Sequence, residues 1–509
     1  MKRISFLIFT ILFTSLSQSQ NITDALRYST EDYAGTARFT ALSGAMGALG
    51  GDFSAIQVNP AGGAVFLNSS LSFSASLYGL ENESNYFNNS EKSNSEDATL
   101  NQIGGIFVFD NSNGASAFKK FTIGVNYHTN RNFNNEIYIA GMGNTSISNF
   151  FLEQAQGIPL DNLELQSGES ISSLYSYLGQ NEGTAAQNAF LGYQAFIFNP
   201  LDPNNPNNTS YTSNIAGNKF NQKYQYLSRG YNSKFSINFA TQLEENYYFG
   251  FNINTHTINY DQSSFLLESN NNPGSIVKKV GFENNLSVNG AGVSAQIGAI
   301  AKIANNFRVG LSLDTPTWYQ ISEETSQYLE SGRIVDGREA NTFIDPRIIN
   351  VYEDYNLKTP ANVTASAAYI FGQDGLISLD YSYKDYSSTE YRAIGNNSDP
   401  YFSNLNNRIS NTLKGASSFK AGAEYLFNQL SLRGGFHFEE SPYKNTETIG
   451  DLTGFSLGAG YKFGRYNLDL AYSRSEQERN QQLYAVGLTD SAKINSIYSN
   501  FVLSLGFIF

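Results

Sequence analysis

The chain contains no cysteine, which removes disulfide frameworks, thiolate metal sites and thiol nucleophiles together. Histidine is almost as scarce: His128, His256 and His437 are the only three. They stand far apart in the sequence and give little material for a histidine metal cluster or a Ser/His/Asp triad. Charge is thin too, at 15% of residues against roughly a quarter in an ordinary soluble domain. A mean hydropathy of −0.33 excludes a bundle of spanning helices, each of which needs about 20 apolar residues. Basic residues are outnumbered, and the net charge of −13 disfavours nucleic acid, whose phosphates require basic patches.

What is abundant is aromatic: 33 Tyr and 38 Phe in 509 residues. A chain this aromatic can bury a great deal of surface, so it is not disordered. Its length would ordinarily imply several domains, but barrels exceed that norm as single units.

The first residues read as an export signal. Met1-Lys2-Arg3 is basic, Ile4 to Leu16 is apolar, and Ser15-Leu16-Ser17-Gln18-Ser19-Gln20 ends small and polar. The apolar stretch is shorter than the roughly 17–25 residues of a spanning helix, so residues 1–20 are expected to be cleaved. With no cysteine to follow, there is no lipoprotein anchor. Loss of Lys2 and Arg3 leaves the mature chain two charges more negative.

The remaining sequence alternates. Phe501, Leu503, Leu505, Phe507 and Phe509 interleave with small or mixed residues, as do Phe455, Leu457, Ala459, Tyr461 and Phe463, and Tyr466, Leu468, Leu470 and Tyr472. Successive side chains of a strand face opposite ways, so each segment is half apolar and half polar. About fourteen such segments are expected by this count. Their connections alternate between short turns, such as Glu244-Glu245-Asn246, Asn305-Asn306 and Gly464-Arg465, and long polar loops over 81–100, 325–349 and 391–411. That asymmetry fits an outer-membrane antiparallel β-barrel, with Tyr and Phe at strand ends as interfacial girdles. Polar-face charges such as Lys234, Lys384, Lys420 and Glu424 read as a ladder inside the lumen.

Residues 33–64 break the period. They are rich in small residues, and Asn59-Pro60 is a good helix start, with Asn59 as N-cap and Pro60 at the first helical position. Met46, Leu49, Phe53, Ile56 and Val58 require burial. A compact, partly helical plug inside the lumen satisfies both facts. The longest loop, 141–221, is too long for an unstructured connection. It carries Ile171, Leu174, Tyr175 and Leu178 at helical spacing, besides Ile147, Phe150 and Phe151. Either these helices form an apolar groove for a greasy ligand or they cap the barrel mouth. The third strand stumbles at Thr129-Asn130-Arg131-Asn132, as a bulge or kink would, or as a strand leaving the membrane would. Gly141-Met142-Gly143 is no phosphate loop, and no enzyme chemistry or cofactor is expected.

The stretch Gly35 to Ala61, with Asn59-Pro60-Ala61, resembles the N-terminal hatch of the FadL/TodX family of outer-membrane transporters. Phe307 to Leu313, Thr359-Pro360-Ala361-Asn362-Val363, and Arg433-Gly434-Gly435-Phe436 followed by Glu440-Ser441-Pro442 resemble its later strands. The resemblance implies an all-β fold, a fourteen-stranded transmembrane barrel over 67–509 plugged by a helical hatch over 21–66. Gly35, Arg38, Gly44, Gly47, Gly50, Asn59, Pro60 and Ala61 would belong to the hatch. Phe150, Phe151, Leu174, Tyr175 and Leu178 would form the capture loop, and Asn130, Arg131 and Asn132 the lateral gate. A carboxylate bound inside requires a cation, and Arg308 and Arg433 are the candidates, though no motif assigns them that role. The implied function is passive uptake of long-chain fatty acids or similar hydrophobic molecules by a monomer in the bacterial outer membrane, among its lipids, without metal or cofactor. The alternatives are a FadL-like surface-interaction barrel of a protein secretion system (PorV-like) and a general porin.

Overall fold

The computed structural model describes residues 20–111, 116–395 and 399–509. The export signal therefore lies outside the described residues except for Gln20, and the turn after Asn111 and the 391–411 loop lie partly outside. The strands are β1 (Ser70–Tyr86), β2 (Asn89–Asp110), β3 (Phe118–Asn132, resuming as Asn135–Gly143) and β4 (Phe220–Leu243). Next come β5 (Tyr247–Ser269), β6 (Val277–Ala304) and β7 (Phe307–Asp314, then Trp318–Val335). The eighth, β8, is assembled from Arg338–Ile344, Asn350–Val351, Tyr355–Lys358 and Asn362–Ile370. Then follow β9 (Gly375–Asp385, then Glu390–Ala393), β10 (Gly415–Phe427), β11 (Leu430–Glu439), β12 (Ile449–Phe463), β13 (Tyr466–Gln482) and β14 (Ser491–Ile508). Each pairs antiparallel with the next, and β14 closes on β1 from Ser70↔Ile508 to Asn85↔Lys493, giving a closed 14-stranded barrel.

The alternation explains which way each residue faces. Leu71, Phe73 and Leu77 on β1, Ile103 and Phe107 on β2, and Phe501, Leu503 and Leu505 on β14 are exposed on the outside. Their intervening neighbours Ser74, Ser76, Gln102 and Ser504 are buried inside. An outward apolar band over a polar interior is what lipid outside and a hydrated or plugged lumen inside require.

The strands run far past that band. β6 alone is 28 residues long, where about 9–11 suffice to cross the membrane. Two of the expected long loops are in fact strand. Residues 81–100 form the end of β1, a two-residue turn and the start of β2, and 325–349 contain the end of β7 and the start of β8. The first turn is Phe87-Asn88, both at positive φ (46° and 63°), and the second is Asp336-Gly337 (50° and 73°). These are the mirror-image turns that match the twist of a hairpin. In the β1–β2 hairpin outward residues such as Lys92, Asn94 and Glu96 are polar, as are inward Asn82, Ser84 and Ser93, so alternation of apolar with polar gives way there to polar residues on both faces.

Candidate functional site

Both ends of the barrel are filled. At the short-turn end sits the segment from Gly35 to Phe66, with α2 (Ala37–Ala41), α3 (Ala55–Val58) and a 3-10 turn, Pro60–Val65. The Asn59 side chain caps that turn by accepting from Ala61 N–H (3.1 Å), as its sequence predicts, although the turn is 3-10 and not α. The same side chain donates to the carbonyls of Gly47 (2.8 Å) and of Ala299 on the wall (3.1 Å). Gly47 N–H donates to Asp380 (2.9 Å), and Asn238 Nδ2 donates to Pro60 O (3.0 Å). Small residues permit this closeness. A Cβ on Gly250 of the wall would stand 2.2 Å from the Pro60 carbonyl carbon, and Gly50, at φ 62°, lies back to back with Gly62. Gly35 packs on Ser54, and Gly44, Pro60 and Ala61 are buried with it.

Ion pairs fix the seat. Arg38 forks onto Glu424 of β10 (2.9 and 3.1 Å), and Glu424 also receives Arg433 of β11, which reaches Asp469 of β13. Arg433 is thus held between two carboxylates. Arg308, the other sequence candidate for carboxylate binding, donates to Leu49 O of the plug (3.1 Å).

At the opposite end the 141–221 loop folds into a helical cap: α4 (Ser148–Ala155), α5 (Ile171–Asn181) and α6 (Thr184–Gln194), with a short ribbon pairing Phe198–Pro200 and Tyr211–Ser213. Phe151, Leu174, Tyr175 and Leu178 are buried in its apolar core with Phe190, Leu191 and Phe198, and with Phe282 and Leu329 of the wall. Of the five residues expected to form a capture groove, only Phe150 reaches the space beneath the cap. The helical spacing here reports a core.

Between plug and cap lies a cavity of about 710 Å³. One side is an N-terminal arm that precedes the plug. The arm begins with α1 (Ile22–Ser29), capped by Asn21, whose Oδ1 accepts from Asp24 N–H (3.0 Å). Arg27 pairs with Asp24 and lies 4.2 Å over the Tyr260 ring. Ala25, Leu26 and Tyr28 join a core with Phe133, Tyr260, Tyr355, Tyr391 and Phe402, the last from α7 (Pro400–Thr412). After α1, Glu31 faces the cavity. Burial pushes its carboxyl up, but Lys384, Lys234, His256 and His128 together outweigh that and hold it at about 2. His128, Lys234 and His256 are direct neighbours across β3, β4 and β5, so two of the three sequence-distant histidines flank one lysine. No group of side chains suited to a metal ion occurs among the described residues.

The interruption of β3 is the other feature of the wall. β2 and β3 pair from Asp110↔Lys120 only to Gln102↔His128. Beyond that level the register of β3 against β4 slips between Thr129 and Arg131, and the strand resumes at Asn135. Its carbonyls are then met by lumen-facing side chains of the β1–β2 hairpin: Asn82 donates to Glu136 O (2.7 Å), Asn89 to Ala140 O (2.9 Å) and Ser93 to Glu136 O (2.8 Å). Asp32 of the arm bridges the slip. Its N–H donates to Asn130 O (2.7 Å), and its carboxylate accepts from Asn132 N–H (2.9 Å). Burial raises the Asp32 carboxyl, with Arg131 and the Asn132 N–H opposing. Asn132 also donates to Asp97 (2.8 Å). Arg131 and Asn132 line the cavity, together with Phe133, Asn134 and Asn135.

Sequence reasoning did not single out the arm, Asp32 or Arg479 of β13, whose side chain also lines the cavity. The arm had a signal in Asn21-Ile22-Thr23-Asp24, a capping residue with an acid in the first turn. Asp32 and Arg479 had none, because their meaning lies in what stands across the lumen.

A closed, lipid-banded barrel plugged at one end, capped at the other and hollow between is an outer-membrane transport barrel with an internal hatch. The family it belongs to is the outer membrane protein transport protein family (OMPP1/FadL/TodX), whose sequence profile matches residues 203–496, well over half of the chain. Among solved structures it is similar to a Pseudomonas aeruginosa FadL homologue, with 12% identity, 94% of this chain and 100% of that one covered, and a TM-score of 0.55. It is similar also to the P. putida toluene transporter TodX, with 12% identity, 94% and 99% covered, and a TM-score of 0.52. Among curated proteins no match is found. The chain is an integral outer-membrane transport protein, and its family consists of transport proteins, not enzymes.

Proposed function

We propose that this protein carries long-chain fatty acids or similar single-tailed hydrophobic molecules across the outer membrane by diffusion, with a lateral exit past the third strand. The observation that supports this is the cavity itself: enclosed between hatch and cap, it is lined by Leu80, Ile137, Phe150, Tyr224 and Tyr226 and also by the residues of the β3 interruption. An apolar molecule leaving there avoids a polar lumen that the hatch already fills. In this reading residues 1–20 are the cleaved export signal, 21–66 the arm and hatch, 67–509 the barrel, and 141–221 an extracellular loop whose cap admits ligand at its inner surface through Phe150. Asn130, Arg131 and Asn132 form the gate, with Asp32 as its latch. The protein works as a monomer. Arg308 and Arg433 serve the hatch seat in place of the ligand.

The experiment is to purify the full chain in a detergent that does not mimic the ligand and to identify what co-purifies by mass spectrometry, beside a cavity-filling variant, Ser264→Trp. A single-tailed lipid present in stoichiometric amount and lost from the variant supports uptake. Only stray phospholipid in both samples sinks it and favours the surface-interaction barrel.

A further inference from the structure

We propose that the outer part of β2 is a docking strand, whose unpaired edge takes an extended, basic segment of another protein as one further strand. The inference concerns the surface outside the lipid and stands whatever the cavity carries.

In a closed barrel every strand has a neighbour on each side, and β2 loses one of its two. It pairs with β1 from Ser70↔Ile106 to Tyr86↔Asn89, but with β3 only from Asp110↔Lys120 to Gln102↔His128. Where β3 resumes at Asn135 it pairs with β4. Its carbonyls there are met by hairpin side chains and not by the β2 backbone: Ser84 donates to Tyr138 O and Ser95 to Asn134 O (3.3 Å), besides the contacts from Asn82, Asn89 and Ser93. The direction of the free edge is set by Leu100, whose carbonyl accepts from the Thr129 hydroxyl (2.7 Å) and so points away from β1. Backbone groups alternate between the two edges of a strand. Ala98, Glu96, Asn94, Lys92 and Ser90 therefore turn their N–H and C=O the same way, and these groups have no hydrogen-bond partner among the described residues. The register against β1 is unbroken from Ala75↔Leu100 to the turn, and the run contains no proline. A regular edge of unpaired donors and acceptors is a template for an added strand.

Position and charge say what fits it. Leu77 and Leu100 are the last large apolar residues exposed on the outer face of the hairpin before its turn. Beyond them Glu81, Glu83, Lys92, Asn94 and Glu96 face outward, so the edge stands in water. The hairpin carries five acids, Glu81, Glu83, Glu91, Glu96 and Asp97, and a single base, Lys92. A lysine on an edge ordinarily discourages a further strand, but Lys92 is paired with Glu81 (3.0 Å) and Glu83 (3.7 Å). Glu96 has no cation beside it among the described residues. Opposite charges across neighbouring strands attract, and a basic partner strand meets this acidic hairpin. A second copy does not fit. Copies inserted in one membrane present β2 running the same way, which denies the two edges an antiparallel ladder, and their acids would repel.

The test is binding of a short labelled peptide of alternating lysine and threonine to the full chain in lipid nanodiscs, read by fluorescence anisotropy. Its counterpart has the same side chains and an N-methylated backbone. The variants are Asn94→Pro, which removes an unpaired N–H and leaves the β1 ladder intact, and Glu96→Lys. Heat-modifiable electrophoretic mobility verifies that each variant has formed its barrel. The expected result is that the wild type binds the peptide, that Asn94→Pro and the N-methylated backbone each weaken binding about tenfold or more, and that Glu96→Lys weakens it as well. Equal binding of both peptides, or unchanged binding by Asn94→Pro, would mean attraction of charge alone and would overturn the docking strand. Unchanged binding by Glu96→Lys would overturn the basic character of the partner, and no binding by the wild type would overturn the whole. A wild-type dimer that Asn94→Pro separates would assign the edge to a second copy instead.

Discussion

The hatch and the cap close the same barrel with a different balance of contacts. The cap is a small helical unit with an apolar core of its own, in which Phe151, Tyr175, Phe190 and Phe198 are fully buried. The hatch has no single apolar core but several small clusters shared with the wall, such as Leu42, Met46 and Leu49 with Ala368 and Leu376, and Phe53, Ile56 and Phe66 with Ile106, and directional polar contacts add to them: the Asn59 amide, Asp380 on Gly47, and Arg38 on Glu424. Burial of apolar area is non-directional, so a cap built that way tolerates adjustment against the wall. Hydrogen bonds and backbone-to-backbone approach depend on direction and distance, so the hatch has one seat. A polar lumen compels the second solution, because it offers donors and acceptors where a soluble core offers hydrocarbon.

Four measurements would break or sharpen this contrast. The largest effect is expected from Phe190→Ala in the cap, which removes a fully buried ring and should cost about 3–5 kcal/mol. Hydrogen exchange should accelerate over 147–198 while the hatch amides stay protected, and acceleration in both regions would mean that the two plugs are one cooperative unit. Arg38→Ala should loosen the hatch and leave the cap unchanged. Glu424 keeps Arg433, so the loss should be about 1–3 kcal/mol, read by exchange at residues 35–66. Asp32→Ala removes the carboxylate acceptor for Asn132 N–H and should cost about 1 kcal/mol at the β3 interruption. It should raise uptake without altering exchange in either plug, and unchanged or lower uptake would remove Asp32 as a latch.

The smallest effect is on pH. The Glu31 carboxyl is depressed from 4.5 to about 2 in the folded protein. Its contribution is therefore complete above pH 4.5 and lost as the pH falls from there towards 2. Proteolysis of the arm should rise through that window in the wild type and be flatter in Glu31→Gln.

The barrel was legible because alternation is a local property. Every one of the expected strands exists, and the turn residues at 244–246, 305–306 and 464–465 lie where expected. The strand lengths were not legible, because the β1–β2 hairpin carries polar residues on both faces and the β7–β8 hairpin mixes polar and apolar residues on its outer face, with Phe343 exposed beside Arg338 and Glu339. At 81–100 the turn is Phe87-Asn88, an unusual pair for a mirror-image turn. At 325–349 the Asp336-Gly337 signal was present and was hidden by the acidic and polar residues around it. In the cap, helical spacing marked α4 and α5 but not α6, and periodicity does not distinguish a ligand groove from a core.

What the sequence determined by itself was the period of two, the lipid-facing band, the short turns at one end of the barrel and the small-residue stretch that had to lie against other backbone. These depend on neighbours along the chain. Only the tertiary structure decided that His128, Lys234 and His256 form one row, that Asp32 bridges a slip in β3 and that Arg433 is spent on two carboxylates. Those facts depend on which strands meet across a closed lumen, and closure sets partners that are up to several hundred residues apart, as with Arg38 and Glu424 at a separation of 386.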